Sequence, residues 1–372
     1  MKLAVFHNLP FGGADRTLYE QLKYLSDNHV IHLYLLSFKS KENKLTKFAD
    51  KVYVYNFEVN SLLPSFLNRL EKDVDNFINL KFVQKKIADD INRRYYDAVL
   101  VHSDMYTEAP FLLRYLKIPN VYHCHELLRI AYERVLKFND NTSFYKRIYE
   151  SLTRKIRKDI DKRNAKASDY ILTSSYYIAD KVRSTYEKEP FTCHLGVDSN
   201  VFRKKNSKKI PQILFIGGRN KLKGYYLARK AFDIVEQKHK ANLKVLGYGK
   251  GDFTISDDNE LAEEYSRSVA TLCSAYSEPF GLVALESMSC ETPVLAVNEG
   301  GYKESVIDGK TGFLLKRNAK EFANKIIYLI EHPKIVKSMG KAGRKHVINN
   351  FSWEKHGACV EKHLLKIAGK EK

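Results

Sequence analysis

Apolar and polar positions fall in blocks along this chain, and the blocks repeat a strand–helix–strand order. Leu3 to Phe6 is an apolar run and His7 to Gly13 a loop. Leu18, Leu22 and Leu25 then hold one helical face before Val30 to Leu36 returns as a strand. Short continuous apolar runs suit parallel strands buried on both faces, and three- to four-residue spacing suits the helices that cover them. Asp97 to His102 (DAVLVH) predicts another buried strand, and Ala167 to Ser175 a further strand and its loop. After a polar stretch around 185–210 the order resumes. Ile210 to Ile216 reads as a strand, Tyr225 to Glu236 as a helix, Leu243 to Gly249 as a strand and turn, and Pro293 to Val297 as a strand. Ala319 to Leu329 and Pro333 to Val347 predict helices, with a last helix opened by Phe351-Ser352-Trp353. Residues 41–95 can be placed only loosely, with a helix in Ser61 to Phe66 or Phe77 to Ile91 turning apolar residues toward a second ligand. The pattern predicts an α/β chain.

Composition bounds what such a chain can be. At 372 residues and 44 % hydrophobic it can fill two ordinary cores. No apolar run reaches the eighteen residues a spanning helix needs, and Met1 to Phe6 reads as a buried first strand rather than a signal peptide. Five dispersed cysteines without a C-x-x-C argue against a disulfide framework or a zinc ribbon, and for a reducing cytoplasm. The formal charge of +19 is unevenly placed: residues 201–250 carry +12 and 251–300 carry −9. Such a balance implies an anionic partner, whether nucleic acid, anionic lipid or a phosphorylated ligand. A nucleic-acid binder would need basic and aromatic residues interleaved on a known module, and none is visible. Between Arg129 and Lys166 the chain is basic, with Leu152, Ile156 and Ile160 as an apolar stripe. That helix packs on its domain or, through its charge, meets an anionic membrane surface.

The candidate chemistry gathers between Ala270 and Glu304. Glu278 and Glu286 stand eight apart, roughly 12 Å along one continuous helix. With Glu278 in a loop and a helix opening at Pro279, both can line one pocket, and the amides of Phe280, Gly281 and Leu282 point out of the helix start toward a phosphate. Gly300 and Gly301 let backbone approach a ligand, and Glu304 follows one turn later. Three carboxylates and two amide-rich loops suit a ligand with many hydroxyls and a diphosphate. As surface acids and a helix start, the same residues would carry no function. His123 and His125 share one face of a strand while Cys124 points away, which disfavours a His-Cys-His metal site.

Glu278-Pro279-Phe280-Gly281-Leu282-Val283-Ala284-Leu285-Glu286 resembles the E-P-F-G-hydrophobic-x-x-x-E hallmark of the retaining glycosyltransferases of family 4. Pro293 to Glu304 and Asp308 to Phe313 match the motifs that follow in that family. The resemblance implies the GT-B fold, two Rossmann-like β/α/β domains facing each other across a cleft. Residues 1–186 would form the acceptor-side domain, with 353–372 crossing back onto it, and 187–352 the nucleotide-sugar domain. By the same resemblance Glu286 takes the ribose hydroxyls and Glu278 a sugar hydroxyl. Arg219 and Lys223, in a G-R…K-G pattern, neutralise the diphosphate without a metal. The Gly12-Gly13 loop faces the donor diphosphate, and His125 sits by the transferred sugar. Gly247 to Gly251, a weak dinucleotide-loop pattern, lies where the family contacts the nucleobase. The implied donor is a nucleotide sugar, best matched by GDP-mannose with a UDP-hexose as the other choice; the basic helix alone suggests a glycan or lipid-linked acceptor. The cysteine pattern gives a cytoplasmic location and the basic helix suggests peripheral contact with the membrane's cytoplasmic face, and no specific nucleic acid is expected. The chain departs from the family at Ser274-Ala275, at Ser287, and at Glu291, where the family has glycine in a turn.

Overall fold

The computed structural model describes residues 1–10, 12–36, 44–59, 64–133, 144–247, 254–255 and 257–370. In chain order the first elements are β1 (Lys2–Asn8), α1 (Gly13–Leu25), β2 (Val30–Leu36), β3 (Lys51–Tyr55), α2 (Ser65–Val74), α3 (Leu80–Asn92), β4 (Ala98–Asp104) and β5 (Asn120–Cys124). Then come α4 (Arg129–Tyr132), α5 (Phe144–Ala167), β6 (Tyr170–Thr173), α6 (Tyr176–Tyr186) and β7 (Phe191–Thr192). The second set runs β8 (Gln212–Ile216), α7 (Tyr225–Glu236), β9 (Asn242–Leu246), α8 (Asp258–Arg267), β10 (Ala270–Cys273), α9 (Leu282–Ser289), β11 (Val294–Val297), α10 (Tyr302–Ser305) and β12 (Gly312–Leu315). It closes with α11 (Ala319–Glu331), α12 (Pro333–Asn350) and α13 (Trp353–Ile367).

The first compact unit comprises Met1–Ser174, Ile178–Cys193 and Gly357–Lys372. Its sheet is parallel, in the order β3-β2-β1-β4-β5-β6-β7. β4 is buried along its whole length, so its apolar run is unbroken rather than alternating. On one side of the sheet Leu18, Leu22 and Leu25 of α1 and Val360 and Leu364 of α13 join Leu3, Val5, Ile31 and Leu33 in one core. β3 (KVYVY) is an edge strand with Val52 and Val54 exposed, so its apolar residues do not mark a buried run. β7 pairs with β6 through Leu172↔Phe191, so this unit runs to Cys193 rather than stopping at 186.

Cys193 and Cys359 form a disulfide, with Cα atoms 5.8 Å apart, tying the residue after β7 to α13. This corrects the expectation drawn from cysteine spacing. The partners lie 166 residues apart in sequence, and only the return of α13 brings them together. Cys124, Cys273 and Cys290 are buried thiols.

The second unit comprises Ser175–Tyr177 and His194–His356, with a parallel sheet in the order β12-β11-β10-β8-β9. α9 is buried along almost its whole length (residues 284–289), so it is apolar rather than amphipathic, and Ser287 satisfies its hydroxyl on Thr271 Oγ1 at 2.8 Å. α8 follows an acidic stretch that gave no amphipathic signal. It starts on an Asp257 side-chain cap to the Asn259 amide and buries Ala262 and Tyr265.

Candidate functional site

In the second unit β8 lies between β9 and β10, so strand order reverses at β8. Open parallel sheets take their ligands outside the carboxyl ends of the strands at such a reversal. The loop leaving β8 carries Arg219 and Lys223, both exposed, and the loop leaving β10 carries Glu278. Lys223 Nζ lies 3.4 Å from Glu278 Oε2, so the structure brings a cation and a carboxylate together there.

Glu286 enters from α9 and is 5 % exposed. The Tyr265 hydroxyl donates to its Oε2 at 2.7 Å. Burial, then the adjacent Glu286, pushes the Tyr265 phenol well above its ordinary range, so it remains a donor and holds the carboxylate in place. No sequence motif marked Tyr265, because its helix gave no pattern.

The loop between Glu278 and α9 differs from expectation. The helix starts at Leu282, not Pro279, because Gly281 takes a left-handed conformation (φ 98°) as its N-cap. A Cβ on Gly281 would stand 2.7 Å from the Tyr302 ring. Pro279 and Phe280 therefore lie ahead of the helix, and the Phe280 ring is buried and stacked on His194 with centroids 5.4 Å apart. The first helical amides belong to Leu282 and Val283, since the Ala284 amide donates back to the Gly281 carbonyl at 2.9 Å.

Gly300 and Gly301 serve backbone packing. A Cβ on Gly301 would stand 2.4 Å from Phe280 Cα and from the Pro279 carbonyl oxygen, and one on Gly300 2.6 Å from the Glu278 carbonyl oxygen. The Gly301 amide donates to that Glu278 carbonyl at 2.9 Å, so it is spent on the neighbouring loop. Glu304 is likewise committed to protein groups. Its carboxylate accepts from the amides of Tyr176 and Tyr177, both at 2.8 Å, and from His194 Nε2 at 2.9 Å. Of the three carboxylates expected to face a ligand, Glu304 is thus bonded to protein groups, while Glu278 meets Lys223 and Glu286 meets Tyr265.

Arg317, absent from the sequence expectations, braces the same loops. Its guanidinium donates to the Ser274 carbonyl at 2.7 Å and the Ala275 carbonyl at 3.1 Å, pairs with Glu299 at 2.6 Å, and lies 3.7 Å over the Tyr276 ring. It joins the loop after β10 to the loop after β11.

In the first unit the order reverses between β1 and β4. Gly12 caps α1, accepting from the Arg16 amide at 3.0 Å, and Gly13 is its first residue; both are exposed. His125 follows β5, is 8 % exposed, and places Nε2 3.0 Å from Nδ1 of His102 on β4. The His123 ring stacks on it at 4.1 Å, is fully buried, and contacts the Gln21 amide nitrogen at 3.1 Å through Nδ1. His123 is thus a packed residue, as its place on the strand predicts. His102 was missed because its strand was read only as core. Gly249 and Gly251 lie outside the described residues.

Two doubly wound parallel sheets, the second with an acid and a base on the loops at its reversal, define an α/β protein with the GT-B fold. Residues 253–346 match the family model described as Glycosyl transferases group 1. An uncharacterized glycosyltransferase of Methanocaldococcus jannaschii is 28 % identical over 214 residues, which is 52 % of this chain and 57 % of that relative. The match thus takes in little more than half of that relative's length. A sucrose-phosphate synthase from Thermosynechococcus elongatus superposes with a TM-score of 0.74 at 17 % identity, over 99 % of both chains. Anabaena HepE, solved with UDP-glucose, superposes at 0.71 with 16 % identity, over 98 % of this chain and 100 % of its own.

Proposed function

We propose that this chain is a retaining glycosyltransferase of family 4 type that moves a hexose from a nucleotide sugar to a glycan or lipid-linked acceptor. The observation that carries the reading is the approach of Lys223 to Glu278 at the strand reversal of the second unit. Lys223 and Arg219 neutralise the leaving diphosphate, a task for fixed cations where no metal ion is used. Glu286, held by Tyr265, takes the ribose hydroxyls, and Glu278 a hydroxyl of the sugar. The amides at the start of α9 add donors for the phosphates. The acceptor oxygen bonds to the anomeric carbon as the bond to the phosphate oxygen breaks, and the acceptor proton passes to the departing phosphate. Both events occur on one face, so configuration is retained. His125 polarises and positions the sugar and does not attack it.

The donor proposed is GDP-mannose, on the form of the E-P-F-G and V-N-E-G-G stretches. A UDP-hexose is the second reading, favoured by the likeness to HepE, which was solved with UDP-glucose. Peripheral contact with an anionic membrane, on the cytoplasmic face, follows from α5. Its residues Ile148, Leu152 and Ile156 are exposed among Lys155 and Lys158, while no described helix is long and apolar enough to cross a membrane. The Cys193–Cys359 bridge weighs against a reducing compartment and so against the cysteine argument for the cytoplasm.

Thermal shift against GDP, UDP, ADP and their sugars, without metal and then with Mg²⁺, tests this. A rise with GDP and GDP-mannose supports the mannosyl reading. A rise with UDP compounds alone overturns the donor, and no rise with any nucleotide overturns the transferase. Configuration at the anomeric carbon of the product, read by NMR, tests retention.

A further inference from the structure

We propose that His102, His123 and His125 form a transition-metal site of the zinc class in the first unit. The site shares His125 with the sugar-transfer reading but rests on the packing of β4, β5 and α1 and not on sugar transfer, and its test reads metal binding rather than transfer.

The register of β4 on β5 pairs His102 with His123, and His125 lies two residues further along the same face. A His-x-His pair and one cross-strand histidine therefore present three imidazoles to one point. One ligand nitrogen from each lies within 4.8 Å of the others, and His102 Nδ1 and His125 Nε2 are 3.0 Å apart. Zinc holds imidazole nitrogens at about 2.0–2.1 Å in tetrahedral geometry, which separates them by roughly 3.3–3.4 Å. Small side-chain movements convert one spacing into the other. Cys124, between the two histidines, points to the other face and donates to the Glu126 carbonyl, so the ligand set is all imidazole. Such a set suits zinc, cobalt, nickel or copper rather than magnesium or calcium.

Burial points the same way. His102 and His123 are fully buried and His125 is 8 % exposed, so three protein ligands would leave one position open toward solvent at His125. Gln21 on α1 contacts Nδ1 of His123. With the amide turned to present its oxygen, Gln21 accepts from the Nδ1 proton and leaves the Nε2 lone pair for the metal, the outer contact that ligating histidines usually carry. The group formed by Cys193, Cys359 and His363 offers no competing thiolate while its two sulfurs are bonded to each other.

The test uses tag-free full-length protein under non-reducing conditions, titrated with Co²⁺ and then with competing Zn²⁺. The expected result is one Co²⁺ per chain with the absorption of a tetrahedral site, displaced by Zn²⁺. X-ray absorption of the zinc form should show nitrogen ligands at about 2.0–2.1 Å. His102→Ala and His123→Ala should abolish the signal, and Gln21→Leu should weaken binding roughly 10–100-fold. Absence of stoichiometric binding by the wild-type chain overturns the proposal and leaves the histidines as a hydrogen-bonded cluster. Undiminished binding by a His102→Ala variant shown by circular dichroism to be folded overturns it equally.

Discussion

Replacing Gly301 with alanine separates two accounts of the glycine pair after β11. If the glycines keep backbone close to a ligand, the unliganded protein tolerates a methyl group and only binding suffers. If they let the 298–301 turn rest on the 278–280 loop, the methyl group costs stability with no ligand present. The structure supports the second account. Gly301 has φ −68°, a conformation alanine adopts freely, so the whole cost is steric. Its Cβ would stand 2.4 Å from both Phe280 Cα and the Pro279 carbonyl oxygen, where ordinary contact begins at 3.4 Å. One loop must retreat by about 1 Å, and overpacking of that kind costs about 1–3 kcal/mol. The retreat also stretches the 2.9 Å bond from the Gly301 amide to the Glu278 carbonyl, for about 1 kcal/mol more. A loss of about 2–4 kcal/mol follows. Trp353 is the chain's single tryptophan and lies in the core of the second unit, so its fluorescence reports that unit during denaturant unfolding. A transition within about 0.5 kcal/mol of wild type, below the ordinary cost of overpacking, together with lost nucleotide binding, would refute the packing account.

Two further outcomes follow from single residues. Glu291 sits at φ 56° where an L side chain costs about 1–2 kcal/mol. Glu291→Gly removes that strain but frees the unfolded chain, for a net gain of about 0.5–1 kcal/mol, read as a higher denaturant midpoint; a lower one contradicts it. Asp161 is fully buried and accepts from the Tyr186 hydroxyl at 2.7 Å, and burial raises its pKa from 3.8 to about 6. The folded state therefore keeps a proton the unfolded state has lost, so its contribution to stability is complete below pH 3.8 and falls away as pH rises to about 6. The swing is about 3 kcal/mol. Asp161→Asn should remove it, so that wild-type and variant stability curves diverge between those limits and run parallel above; curves parallel throughout would rule it out.

The residues legible in the sequence are those whose local chemistry is unusual. A buried parallel strand such as Ala98–Asp104 announces itself as an apolar run, and Tyr225–Glu236 by its periodic face. The Glu278–Glu286 stretch is legible because a proline and a glycine stand at fixed positions beside two acids. What the sequence could not show is which of those groups the fold then uses up. The carboxylate of Glu304 and the amide of Gly301 carry the motif's spacing, yet both are bonded to other parts of the second unit. The partners that consume them, Tyr176, Tyr177 and the Glu278 carbonyl, are ordinary residues whose meaning comes only from proximity. The reverse holds for Tyr265 and Arg317, in stretches with no distinguishing pattern, and for His102, in a strand legible only as core; strand register and loop bracing bring them beside the motif residues. Motif spacing therefore overstates how much of its chemistry the fold leaves free. The carboxylates left facing the strand reversal are fewer than the motif contains, and the groups that position them come from outside it.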